Sequence, residues 1–164
     1  CVPEMKDRVA LVDITTCPTE IKGFSGVNTF PDKFDLVMAT DLLEHLYEED
    51  LDRTFDWMMS KTKRWMFFCV ATAQNPGSPL FVPDKMELVL KKGQKVPLEW
   101  EATAAAGHVN VRSWKYWVKF FMNKGLTVRW DLGYVFQMAR EMNEPWQKTG
   151  GWNMSCTWFL EKTK

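Results

Sequence analysis

Three side chains able to hold a metal or move a proton stand close together in one stretch: Asp41, Glu44 and His45. Their i, i+3, i+4 spacing puts them on one face of a helix, where two carboxylates and an imidazole are potential ligands for one ion. The chain has 2 histidines, His45 and His108. Imidazole titrates near neutrality, so either can act as a general base without a metal. A plainer reading competes: Asp41 and Glu44 also have the spacing of an N-cap and its N3 partner, which would occupy them with helix-end amides. Just before them the apolar run Phe34-Asp35-Leu36-Val37-Met38-Ala39 reads as a strand. Thr40 and Asp41 then fall at the carboxyl edge of a sheet, the side on which open α/β sheets bind ligands.

A second cluster is basic. Lys91-Lys92-Gly93-Gln94-Lys95 has Trp100, Trp114 and Trp117 nearby in sequence. Basic and aromatic residues in alternation can hold a single-stranded nucleic acid. A solvated lysine loop beside core tryptophans is the simpler alternative. The cysteines, Cys1, Cys17, Cys69 and Cys156, form no CxxC pair, which argues against a zinc knuckle or a thioredoxin-type motif. Each reads as a small buried hydrophobe, reduced in a cytosolic setting.

The elements that must position these residues follow from apolar periodicity and punctuation. Residues 8–14 read as a short buried strand ending near Asp13, and 34–39 as a strand buried on both faces. Residues 40–46 read as a turn or short helix, and 49–62 as a helix with Leu51, Phe55, Met58 and Met59 close to one face. Residues 64–72 form the most hydrophobic strand, and 73–113 a long insertion with a small helix over 86–90. Residues 114–124 carry the clearest helical pattern, with Ser113 as N-cap and Gly125 at the stop. A strand over 126–130, a helix over 132–143 and a final strand over 152–161 complete the chain. Strands alternating with helices argue an α/β sheet that is largely parallel.

Composition bounds what this assembly can be. At 164 residues the chain has room for one domain. Equal numbers of Lys+Arg and Asp+Glu, 21 each, exclude a strongly basic surface, though not a local patch. With 46% hydrophobic and 26% charged residues it is globular rather than disordered. Its 9 Trp, 11 Phe and 10 Met make a bulky core or a lined pocket easy to build. The longest apolar run, residues 65–71, is far short of the roughly 20 needed to span a bilayer. No signal-peptide pattern opens the sequence, which begins with Cys1, and the expected location is cytoplasmic.

Phe-Asp-Leu-Val-x-x-x-Asp-x-Leu-Glu-His-Leu, ending at Leu46, resembles the fourth-strand motif of the class I methyltransferases that use S-adenosylmethionine. In order, residues 64–72 match that family's fifth strand. Gly107-His108-Val109-Asn110-Val111-Arg112-Ser113-Trp114 is similar to its "His, then Arg-Ser, then helix" entry. The tail matches its sixth strand, a helix and an antiparallel seventh strand. The resemblance implies a single Rossmann-like domain over 1–164, mostly parallel with an antiparallel last strand and shortened at its N-terminus, in which 74–113 form a substrate lid. It implies S-adenosylmethionine as cofactor, with Asp13 on the ribose hydroxyls and Ala39, Thr40, Asp41 and Leu42 along the adenosine or methionyl part. The set Asp41, Glu44, His45 and His108 resembles the metal site of small-RNA 3′-end 2′-O-methyltransferases and of ubiquinone-type O-methyltransferases. There a divalent metal orients the hydroxyl to be methylated, and two carboxylates with imidazoles suit Mn²⁺ or Mg²⁺ more than a structural zinc. In a metal-free enzyme His45 or His108 would be the catalytic base. The implied activity is methyl transfer to an O or N acceptor, a small molecule first and RNA second. The family's glycine-rich cofactor loop has no counterpart here, since none of the 9 glycines forms G-x-G. That departure supports an alternative: a methyltransferase fold kept as a binding or assembly module.

Overall fold

The computed structural model describes residues 10–22, 32–72, 87–133, 135 and 157–163. A 3-10 turn (Ile14–Thr16) is followed by strand β1 (Phe34–Thr40), a second 3-10 turn (Leu43–His45), helix α1 (Glu48–Ser60) and strand β2 (Thr62–Cys69). Then come β3 (Leu88–Val89), a 3-10 turn (Leu98–Trp100), the short helix α2 (Glu101–Ala105), β4 (Asn110–Val111), α3 (Trp114–Asn123), β5 (Leu126–Val128) and β6 (Thr157–Lys162). Four strands form one sheet in the order β1-β2-β6-β5, and β3 pairs with β4 in a separate antiparallel ribbon. β1 and β2 are parallel, and β6 runs antiparallel to both β2 and β5. Three strands therefore point one way and the last runs against them. The architecture is mixed α/β with a sheet that leans parallel.

Helix α1 begins with Glu48, Glu49 and Asp50, acids that suit the positive end of a helix dipole. It buries Leu51, Thr54, Phe55 and Met58 on one face. Helix α3 starts where the Ser113 hydroxyl accepts from the Tyr116 amide at 3.3 Å, and it buries Trp117, Phe120 and Phe121. Both helices pack on β2 and β6 through a ring-rich core. Phe55, Phe68 and Phe121 lie with centroids 5.4–5.6 Å apart, and Trp158 meets Phe121 edge-on. Each such buried side chain stabilises by about 1.5–3 kcal/mol relative to exposure. A second, smaller core gathers Leu88, Leu90, Trp100, Val109 and Val111 under Tyr47 and Val96. It fastens residues 87–111 to the segment just after β1.

Several expectations are corrected. No strand occupies residues 10–16, because the Asp13 carboxylate accepts from the amide and hydroxyl of Thr15, at 2.9 and 2.7 Å, and turns the backbone back on itself. β1 is not buried on both faces: Leu36 is 46% exposed and Met38 58%. Among the described residues β1 pairs on one side only, so its apolar residues lack a second neighbour to cover them. The expected helix over 86–90 is strand β3 where described, held by pairing with β4. β5 stops at Val128, and residues 130–133 are helical. Cys17 is half-buried rather than buried, and Cys69 is buried as expected. Cys1, Cys156, most of the expected 132–143 helix and residues 73–86 of the insertion lie outside the described residues. Among the described residues no helix is long and apolar enough to cross a membrane.

Candidate metal centre

Strand β1 ends at Thr40, and the chain turns sharply at Asp41, whose φ is 51°. The Asp41 amide donates to the Cys69 carbonyl at 2.9 Å, which ties the ends of β1 and β2 together. Leu43, fully buried, anchors the following 3-10 turn in the main core. That anchoring turns Glu44 inward and leaves His45 toward solvent. The Glu44 carbonyl accepts from the Val109 amide at 2.8 Å, and the Leu90 amide donates to the Val109 carbonyl at 2.8 Å. Through these bonds the small core brings His108 beside the turn.

His108 arrives through a helix ending. Gly107, at φ +85°, follows α2; its amide donates to the Ala104 carbonyl at 2.8 Å, and the His108 amide to that of Thr103 at 3.2 Å. These two bonds are the pattern by which a left-handed glycine closes a helix, and they set His108 one residue beyond it.

Glu44, His45 and His108 converge, each offering a ligand atom, and those atoms all lie within 4.8 Å of one another. The two imidazoles meet edge to face, with centroids 4.7 Å apart. Glu44 Oε1 accepts from the Ala71 amide at 2.7 Å, whereas Glu44 Oε2 is buried with no hydrogen-bond partner. His108 Nδ1 is likewise buried without a partner. His45 Nδ1 lies 2.9 Å from the Gly107 carbonyl oxygen. A carbonyl only accepts, so Nδ1 carries the proton, and in the neutral ring the lone pair is on Nε2. Burial pushes the Glu44 carboxyl up, only partly offset by the Ala71 amide, and burial followed by the neighbouring His45 pushes His108 down. Both shifts disfavour charge at groups with unspent lone pairs. Burying a polar atom without a partner costs about 1–3 kcal/mol, and a cation among these atoms would remove that cost. One carboxylate and two imidazoles fit a first-row transition ion such as Mn²⁺ better than Mg²⁺, which prefers oxygen.

The other expected site residues are placed differently. Asp41 precedes the 3-10 turn in a left-handed conformation, so it does not share a helix face with Glu44 and His45. It lies at the exposed rim, close enough for its charge to bear on Glu44 and His108. Nor is it an N-cap: Leu42 occupies that position, with no side-chain cap. Asp13 is exposed and caps its own turn, which holds its carboxyl below the usual range. Ala39 and Leu42 line an apolar cavity of about 280 Å³ beside β1, bounded also by Ile14, Val37, Trp57 and Met58; Thr40 and Asp41 are not part of its lining. Lys92 is committed to α1, its ammonium 2.7 Å from Asp50 and its amide donating to Glu49. Trp100 and Trp117 are core and offer no stacking face, and Trp114 is partly buried against the core.

Two participants escaped the sequence reading: the Ala71 amide, which holds Glu44, and Gly107, which holds His45. Backbone groups leave no compositional mark, but a lone glycine just before the second histidine was a usable signal for Gly107. No family model matches the chain, and neither a curated protein nor a solved structure matches it.

Proposed function

We propose that the chain is the methyl-transferring part of a Rossmann-like, S-adenosylmethionine-dependent methyltransferase in which Glu44, His45 and His108 hold a divalent cation beside the acceptor oxygen. The observation that carries this reading is the convergence of one ligand atom each from Glu44, His45 and His108 within 4.8 Å, in a cluster where Glu44 Oε2 and His108 Nδ1 are buried with no hydrogen-bond partner. Their position past the ends of β1 and β2, on the ligand-binding side of such a sheet, supports it. So does the antiparallel final strand that the resemblance implied.

A bound cation supplies charge that orients and polarises a hydroxyl. The chain's own residues do the rest by placement. Glu44 is held by the Ala71 amide through one oxygen, and His45, the exposed member, meets an acceptor arriving from solvent. Without a cation, His45 Nε2 is the atom that takes the acceptor's proton. The apolar cavity along Ala39 and Leu42 suits the flat, weakly polar adenine of the cofactor. Catalysis would come mainly from holding donor and acceptor in line, since methyl transfer from a sulfonium needs little covalent help. A small hydroxylic molecule is the preferred acceptor. RNA is less favoured, because Lys92 is already paired and Trp100 and Trp117 are core.

Calorimetric titration tests the reading with S-adenosylmethionine and, separately, with Mn²⁺. Saturable heat with both is expected, with the Mn²⁺ signal lost in His45→Ala and His108→Ala. A folded chain that binds neither overturns it. The binding-module alternative is favoured by one observation, that Asp13 spends its carboxylate on its own turn. Cation uptake with no response to S-adenosylmethionine would select that alternative.

A further inference from the structure

We infer that Gly107 is the positioning residue of the candidate centre, its carbonyl fixing the His45 ring and its missing side chain making room for that ring. The inference rests on the metal reading for its consequence, cation affinity, but not for its geometry. Three independent features meet at this residue. Its φ of +85° lies in the left-handed region, where a Cβ is strained. A Cβ built there would stand 3.0 Å from His45 Nδ1 and 3.3 Å from His45 Cε1, tighter than nine in ten Cβ contacts, so the ring would have to give. Its carbonyl oxygen accepts the His45 Nδ1 proton at 2.9 Å.

The consequences are chemical. With Nδ1 protonated, His45 offers Nε2 as its only lone pair, the form a metal-binding imidazole needs. The opposite tautomer would set two lone pairs, from Nδ1 and the carbonyl, against each other. The same left-handed turn sends the chain directly into His108, so one glycine sets both imidazoles. An alanine would both strain the turn and shift the His45 ring by a few tenths of an ångström against its acceptor. Gly93 provides an internal contrast: its φ is +76°, yet a Cβ there meets nothing within 4 Å. Gly93→Ala therefore carries the backbone strain without the ring contact.

The test compares the full chain with Gly107→Ala, Gly107→Asn and Gly93→Ala. Asparagine tolerates the left-handed conformation but keeps the Cβ, so Gly107→Asn remains informative if Gly107→Ala fails to fold. Long-range ¹H–¹⁵N spectra of metal-free protein at about pH 8, where imidazole is neutral, should show His45 of the parent protonated on Nδ1. Both Gly107 variants should lose that signature, and Co²⁺ affinity, followed by visible absorption, should fall about ten- to a hundredfold. Gly93→Ala should lower the thermal midpoint while leaving signature and affinity unchanged. Protonation of parental His45 on Nε2, or a Gly107→Asn protein with unaltered signature and affinity, overturns the inference. A parent protein that takes up no Co²⁺ removes the metal reading alone, and the tautomer spectra still decide the role of Gly107.

Discussion

The two ends of the sheet handle charge in opposite ways. Beyond the carboxyl ends of β1 and β2, Glu44 is buried and His108 half-buried, and each keeps a fully buried polar atom with no partner. At the amino end of β2 the charges have partners: Arg64 and Asp131 face water, and Glu161 and Arg129 are half-buried. Arg64 and Arg129 grip the two oxygens of Glu161, Arg129 also takes both oxygens of Asp131, and the two guanidiniums lie 4.5 and 5.4 Å from the Trp65 ring. The pKa directions follow: burial raises Glu44, whereas the arginine hydrogen bonds lower Glu161 and Asp131. A paired, exposed cluster is complete in itself. A buried cluster with unspent lone pairs has given up hydration with no protein group in exchange, as a ligand site does.

The comparison is sharpened first by disturbing what both ends share. Leu160 is fully buried in β6 opposite Met66, in the core between the two sheet ends. Leu160→Ala should cost about 2–5 kcal/mol of stability and leave Co²⁺ affinity unchanged when measured well below the lowered melting point. A matching loss of affinity would mean that the site is only as strong as the core, not locally built.

The next effect is local. Glu44→Gln preserves an oxygen for the Ala71 amide and removes the charge and the unpartnered carboxylate oxygen. Cation affinity should fall at least about a hundredfold, roughly 2.7 kcal/mol, with little change in the thermal midpoint of the metal-free protein. Should the protein instead lose stability while its affinity is retained, Glu44 would be a structural carboxylate, and the contrast between the two ends would collapse.

Chemistry at the site was more legible in the sequence than its construction. The chain's 2 histidines made His45 and His108 stand out by scarcity, and Glu44 was marked by its i, i+3, i+4 spacing with Asp41 and His45. What holds them was hidden, because the Gly107 carbonyl reaches His45 across 62 residues and no local pattern encodes that approach. Asp41 illustrates the opposite failure: helical spacing is useful only where the backbone is helical, and a left-handed residue at the strand end breaks the face. Strands show the same limit. β1 and β2 are both apolar runs, yet Met66 to Val70 are buried while Leu36 and Met38 are exposed, because burial depends on which strand has neighbours on both sides. Where apolar periodicity was strong and ends were marked, as in α1 and α3, the reading held to within a residue or two.

The smallest expected effect belongs to the paired end, and its sign can be worked out. Hydrogen bonds from Arg129 and Arg64 hold Glu161 below its ordinary 4.5, and those from Arg129 hold Asp131 below 3.8. The folded protein thus binds fewer protons at these groups than the unfolded chain does near those values. Their contribution to stability is present above the unfolded carboxylate range and is lost as pH falls through the depressed values. Arg129→Met should therefore lower the thermal midpoint slightly at pH 7 and not at all once both carboxylates are protonated in either state. Its melting curve against pH should be the flatter of the two on the acid side. Because Asp131 faces water and Arg129 and Glu161 are only half-buried, added salt should shrink the difference at pH 7. Parallel melting profiles for the two proteins from about pH 2 to pH 7 would mean that the arginine bonds do not shift these carboxylates. The exposed cluster would then be no better paired in solution than the buried one, and the contrast between the two ends would rest on burial alone.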